Sequence, residues 1–243
     1  MTVPLIIFIA VTAVMISASY WDVRSREVSD AHWMAIGVIG MAVSVLTEDL
    51  LPGILSAGGF LMFMLFMFSE KVQGKVSLAV IALGSLLLIS SSAVSEEPYP
   101  LVTLAMVLLF ITMYITGAMK GGADVKALAV LSFLFCEYPD YGFLVWEPIY
   151  PQNFVLNPMF SVLLIAMILS IVYAVVHNLR RSGGTRISSY VTTRSEAESS
   201  FVWKLEDIDD ENVRVTPMIP FLVPTTVGLV FTMVLGCPLF ALI

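Results

Sequence analysis

Apolar positions run through this chain in long unbroken blocks separated by short polar stretches, with neither strict alternation nor a one-faced helical stripe. The blocks cover residues 4–21, 31–46, 50–68, 76–94, 101–118, 122–136, 158–178 and 218–243. A helix needs about 20 apolar residues to cross roughly 30 Å of hydrocarbon, and most of these blocks approach that length. Continuous apolarity predicts helices, because a lipid-facing strand would alternate inward polar and outward apolar positions. The pattern therefore predicts an all-α fold, a polytopic transmembrane helix bundle of about eight spans. The second and sixth blocks are the short ones, and the count falls if either is re-entrant.

Two stretches break the pattern. Between residues 180 and 216 the chain turns polar, opening on Gly183-Gly184 and carrying Glu206, Asp207, Asp209, Asp210 and Glu211. A segment this short lacks the residues for an independent core, so it reads as a small cytoplasmic loop region lying against the helices. Phe201, Val202, Trp203 and Leu205 are its candidate interfacial anchor. Residues 138–158 hold Pro139, Pro148, Pro151 and Pro158, which oppose continuous helix and predict a structured turn. The expected organisation is a membrane bundle over 1–179, a polar loop region over 180–216 and a C-terminal membrane helix over 217–243.

Composition agrees, since 58% hydrophobic against 13% charged residues leaves too little polar surface to solvate a soluble fold. Charge adds an orientation. With eight spans, Arg24, Arg26, Lys71, Lys75, Lys120, Lys126, Arg180, Arg181, Arg186, Arg194, Lys204 and Arg214 all fall on one side. The opposite loops carry Glu48, Asp49, Glu96, Glu97, Glu137, Asp140 and Glu147, with no basic residue. The positive-inside rule makes the basic side cytoplasmic and puts both termini outside, in a cell membrane with lipid as the surrounding partner. The net charge of −7 is divided between outer loops and one cytoplasmic run, so it does not argue for a nucleic-acid partner.

The first block lacks a preceding basic residue, and Tyr20, Trp21 and Asp22 stand where small cleavage-site residues belong, so it is expected to be a retained helix. Cys136 and Cys237, with only His32 and His177 as companions, predict neither a disulfide framework nor a metal site, and no cofactor is expected.

Two acids carry the candidate chemistry. Asp22 closes the first span and Asp124 opens the sixth, which places both on the cytoplasmic side. Acids at the ends of apolar spans are expensive to desolvate and invite a functional reading. Two carboxyls brought within a few Å share a proton, and such a pair can hydrolyse an amide. The ionised member takes a proton from the attacking water while the protonated member donates to the carbonyl oxygen and then to the amine. Simpler readings stay open at this point. Asp124 also suits a helix N-cap after Gly121, Gly122 and Ala123, and Asp22 also suits an ion pair with Arg26 one turn later.

The runs Tyr20-Trp21-Asp22-Val23-Arg24-Ser25-Arg26-Glu27-Val28 and Gly121-Gly122-Ala123-Asp124-Val125-Lys126 resemble the motifs of the type IV prepilin peptidase-like aspartyl proteases, which carry a Gly-x-Gly-Asp signature. The nearest likeness is to archaeal preflagellin peptidases. It extends to Thr216-Pro217-Met218-Ile219-Pro220 with Pro224 at the opening of the last span. Ala123 stands where the stricter motif has glycine. About 100 residues separate the two acids, enough for two spans beyond the six-helix archaeal core. An even number of added spans keeps both acids on one side.

The resemblance implies an aspartic-type endopeptidase with Asp22 and Asp124 as catalytic pair and Gly121, Gly122 and Ala123 as active-site support. Arg24 and Lys126, two residues beyond the acids, are further candidates for that support. The implied partner is a preflagellin or pilin-like precursor, cut at the cytoplasmic face to release a short basic leader. The run 206–211 is a candidate attractor for that leader. The absence of a four-cysteine zinc domain implies cleavage without N-methylation. Two alternatives share the acids: a presenilin-type intramembrane protease, which presents a different first motif, and a proton-coupled transporter, which calls for mid-bilayer acids and matched halves.

Overall fold

A computed structural model describes residues 2–69, 71–138, 157–182, 189–198, 200–208 and 211–239. The proline-rich turn expected between 138 and 158, Gly183-Gly184, and Asp209 with Asp210 lie largely or wholly outside the described residues. Within them the chain forms α1 (Thr2–Ser25), α2 (Asp30–Thr47), α3 (Leu50–Phe68), α4 (Lys75–Ser95), α5 (Tyr99–Ile115), α6 (Gly122–Leu134) and α7 (Pro158–Ser182). There follow β1 (Tyr190–Thr193), α8 (Arg194–Glu198), β2 (Val202–Asp207), β3 (Asn212–Pro217) and α9 (Leu222–Leu235).

The protein is mostly helical and membrane-type. Five helices, α1 to α4 and α7, are long and apolar enough to cross a bilayer, while α5 and α9 are shorter apolar helices. At 13 residues α6 measures about 20 Å, well short of the hydrocarbon thickness. Large apolar side chains face outward along the long helices, among them Ile6, Ile9, Ile16, Val38, Leu78 and Ile171. On a soluble protein such a surface would aggregate; against lipid it is the ordinary exterior.

Local chemistry sets the ends of these helices. Ser29 caps α2 by accepting from the Ala31 N–H at 3.3 Å, and Asp30 adds an acid to the first turn, where the helix dipole favours it. Glu96, in the left-handed conformation at φ 59°, ends α4. Neither Pro220 nor Pro224 interrupts the last helix. Pro220 precedes α9, and Pro224 lies in its first turn, where no intrahelical N–H is lost.

The helices close two rings that share the pair α2 and α6. In one, α1 packs on α2 and α9, α9 on α7, and α7 on α6; in the other, α3 packs on α2 and α4, and α5 on α4 and α6. The second ring holds much of the core, including Phe60, Phe63, Leu88, Val107 and Phe110, all with no or almost no exposure. Gly59 and Gly84 let α3 and α4 approach until a Cβ on either would stand 2.9–3.0 Å from the other's carbonyl oxygen. Phe133 of α6 stacks on Phe60 of α3, with centroids 4.2 Å apart and planes within 6°. Phe133→Ala removes that partner and leaves a cavity, so a loss of about 3–5 kcal/mol is expected, read as a lower unfolding temperature in detergent.

The polar region expected to be a loop is instead a small α/β unit. β1 and β2 both pair antiparallel with the central β3, giving the order β1-β3-β2, with Tyr190 and Leu205 opposite Val215. Val213 and Val215 alternate inward along β3 and are fully buried, and Tyr190, Ala197 and Val202 complete the cluster. The unit needs no large core because β1 rests on α7.

Candidate active site

The last turn of α1 is held by a polar seam to the first turn of α9. Ser19 Oγ donates to the Leu222 carbonyl at 3.0 Å and shares a 2.8 Å hydrogen bond with Thr226 Oγ1, while Thr226 reaches the Met15 carbonyl at 3.3 Å. In a bundle interior such hydrogen bonds fix helix register as well as contact. One turn further along, the Leu222 N–H donates to Asp22 Oδ2 at 3.1 Å. An N–H in the first turn of a helix has no partner within it, so α9 offers its N-terminus to the Asp22 carboxylate. Asp22 is 9% exposed, whereas Tyr20 and Trp21 on the outer side of the same turn are exposed.

Beyond Ser25 the chain breaks out of α1 at Arg26, a non-glycine residue with φ 57°. Holding that left-handed conformation costs about 1 kcal/mol. The turn returns the guanidinium toward the helix: Arg26 Nη1 stands 3.8 Å from Asp22 Oδ1, and the Phe201 ring faces the guanidinium at 5.6 Å. The ion pair expected as the simpler reading of Asp22 is therefore present, beside the α9 contact.

Asp124 arrives from the other side, as the third residue of α6 and not its N-cap, a position held by Gly121. Its carboxylate folds back over Gly121. A Cβ built there would overlap Asp124 Oδ2 and lie 2.8 Å from Cγ. Among the described residues no hydrogen bond reaches the Asp124 side chain. It is acted on electrostatically by Asp22, which repels it, and by Arg26, which attracts it. Two acids from helices about 100 residues apart and one base thus form a single charged cluster at one end of the first ring.

Two cavities adjoin the cluster. One of about 420 Å³ is lined by Asp124, Gly121, Met167, Asn178, Thr216 and Phe221, and is largely apolar. A smaller one, about 240 Å³, is lined by Arg26, Tyr173, His177, Tyr190 and Phe201, and Pro217 borders both. Thr216 and Pro217 at the end of β3, with Ile219 and Phe221 in the link to α9, thus form part of the wall of the cavity that Asp124 also lines.

The remaining expected site residues divide. Gly121 belongs to the cluster. Ala123 packs against the main core, and at Gly122 a Cβ would meet only Tyr114 Oη, at 3.9 Å. Arg24 and Lys126 do not support the acids. Arg24 donates to Tyr20 Oη at 2.8 Å and lies over the Trp21 ring, while Lys126 Nζ pairs with Asp30 at 2.7 Å and lies over Phe68 at 4.8 Å. The reason is helical geometry, since a residue two positions on points to nearly the opposite face. The basic partner is Arg26, four positions on and on the same side as Asp22.

Of the acidic run, Glu206 pairs with Lys204 at 2.5 Å and with Arg214 at 3.8 Å, and Asp207 pairs with Arg194 at 2.6 Å. Basic neighbours within the small α/β unit compensate these charges, which weakens the case for a free acidic attractor. Glu206→Gln with Asp207→Asn is expected to shift the unfolding temperature in detergent little, because exposed pairs contribute little to stability. His32 bonds Ser17 and Ser29, and His177 packs between Tyr173 and Tyr190, so neither touches the acids. No group of three or more metal-ligating side chains is found among the described residues. What the arrangement offers is two carboxyls within electrostatic reach of each other beside a cavity of about 420 Å³, the ingredients of acid–base chemistry.

No protein-family model, curated protein or solved structure matches the chain.

Proposed function

We propose that this protein is a membrane aspartyl endopeptidase that removes a short basic leader from preflagellin or pilin-like precursors at the cytoplasmic membrane face. The observation that supports the reading is that Asp22 and Asp124, from helices far apart in the chain, come within electrostatic reach of each other, and that Asp124 borders a cavity. The two motifs that resemble the prepilin peptidase-like proteases are the segments that supply these acids. The third segment of that resemblance, 216–220, lines the same cavity.

In the proposed reaction a water between the carboxyls attacks the scissile carbonyl carbon as the ionised Asp takes one of its protons. The protonated Asp gives its proton to the carbonyl oxygen. Collapse of the tetrahedral intermediate breaks the C–N bond: the departing amine takes the proton that the first Asp received from water, and one hydroxyl of the intermediate returns its proton to the second Asp, which restores the shared-proton pair. The two acids titrate as a unit, so the roles belong to the pair and not to a fixed residue.

Eight crossings complete the reading: the five long helices together with α5, α6 and α9. A short α6 starts below the membrane surface, which sinks Asp124 to the depth of a substrate's apolar segment while the adjoining cavity keeps it in reach of water. The basic residues near this end make it cytoplasmic by the positive-inside rule. The helices α3 and α4 pack mainly in the second ring, so two spans beyond a six-helix core are accommodated away from the acids.

The test is to incubate membranes containing the protein with preflagellin and, separately, with a pilin-like precursor, and to sequence the product N-terminus by mass spectrometry. One new, unmethylated N-terminus just before the apolar stretch is expected. Failure to shorten either precursor would overturn the reading, and a methylated product would overturn its cleavage-only form.

A further inference from the structure

The mechanism above uses the two acids and leaves Arg26 without a task, although two of its donors are unsatisfied. Its Nε and Nη1 are buried from solvent and have no hydrogen-bond partner among the described residues. The nearest carboxylate oxygen, Asp22 Oδ1 at 3.8 Å, is beyond hydrogen-bonding distance. A cation held with two unused donors is costly unless something else accepts from them. The backbone adds to that cost by adopting a left-handed turn that returns the side chain to this position.

Arg26 lines the smaller cavity, with Nε and Nη1 covered beneath its surface, and the walls are Tyr173 and His177 of α7, Tyr190 of β1 and Phe201 before β2. This wall is aromatic and polar, in contrast to the largely apolar cavity beside Asp124, and Pro217 joins the two. A chain laid across the carboxyl pair would thus meet an apolar compartment between α5, α6 and α7 on one side. On the other it would meet a polar one at the sheet. The two acids already supply negative charge, so the complementary acceptor for Arg26 is a neutral oxygen, and an extended peptide offers one at every residue.

We infer that Arg26 is a substrate-anchoring residue: its guanidinium turns its covered edge toward the cavity between α1, α7 and the three-stranded sheet and donates to main-chain carbonyl oxygens of an extended peptide segment seated there. The occupant is the segment on the polar-leader side of the cut, while the apolar side occupies the cavity beside Asp124. The inference rests on the protease reading, and the Phe201 ring over the guanidinium holds the anchor in place.

The test measures binding apart from chemistry. Asp124→Asn protein in detergent, in which cleavage is blocked, is titrated with whichever full-length precursor the wild type shortens. Adding Arg26→Asn, which tolerates the left-handed backbone, should raise Kd roughly 10- to 100-fold, since bonds from a charged donor are lost. Arg26→Lys should recover part of the affinity, and in the cleaving enzyme it should raise KM more than it lowers kcat. Phe201→Ala, which touches neither acid, should weaken binding in the same direction. Arg24→Gln, on the exposed face of the same turn, should change nothing. Unchanged Kd in both Arg26→Asn and Phe201→Ala overturns the inference and leaves the protease reading intact. A wild type that shortens neither precursor removes the reading and the anchor together.

Discussion

Asp22→Asn and Asp124→Asn are each expected to lower precursor cleavage by a factor of about 10³ or more, to the background of membranes lacking the protein. Asparagine keeps the size and one acceptor oxygen of aspartate but carries no titratable proton, so either change removes half of a proton-sharing pair. Because the two act as one unit, the double variant should be no worse than either single one. The two should differ in stability. Asp22 accepts from the Leu222 N–H and faces Arg26, so its replacement keeps the first contact but leaves a half-buried base without its counter-charge. Asp124 has no hydrogen bond among the described residues and is repelled by Asp22, so Asp124→Asn should be neutral or mildly stabilising. Gel-shift cleavage assays and thermal unfolding on the same preparations separate the two effects. Cleavage that survives either substitution would remove the carboxyl pair from the mechanism.

The apolar blocks located α1 to α7 and α9, because a membrane helix announces itself by length and composition alone. They misjudged the last helix. The apolar run from 218 extends beyond the described helix at both ends, and Gly236 at φ 85° with Pro238 following ends it earlier than hydropathy suggests. The sheet was written in the alternation of Asn212, Val213, Arg214, Val215 and Thr216, a period-two signal too short to stand out beside the acidic run.

For the site, the sequence marked both acids and Gly121 but not what surrounds them. Arg24 and Lys126 looked close in the chain, yet their spacing from the acids already pointed them away, and the four-residue step to Arg26 was the informative one. The Leu222 N–H could not have been found, since a contact across 200 residues leaves no local trace. The same holds for the part of the wall between 216 and 221. Its place beside Asp124 follows from where the sheet delivers the chain to α9, and strand pairing is a long-range property.

Gly121→Ala should separate the candidate site from the fold most sharply. A methyl group at residue 121 would occupy the place of Asp124 Oδ2, so the carboxylate must rotate away from its present position over Gly121. The backbone itself poses no obstacle, with φ −84° and ψ 115° in a region open to any residue, and the obstructing atom ends a freely rotating side chain. The substitution should therefore cost little stability. A carboxyl moved by about 1 Å can nevertheless lose roughly 10²-fold in rate, because proton transfer requires the pair, the water and the carbonyl in one alignment. Gly122→Ala, one residue on, is the matched control. Its added methyl meets only Tyr114 Oη at ordinary contact distance, and alanine is the better helix former at the first position of α6, so activity should stay near wild type with unchanged or slightly higher stability. Measured side by side, kcat should fall for residue 121 and hold for residue 122 while both unfold near the wild-type temperature. If both alanines cleave at the wild-type rate, the position of the Asp124 carboxylate over Gly121 is not the reacting one, and the pair must be assembled in some other geometry when substrate arrives.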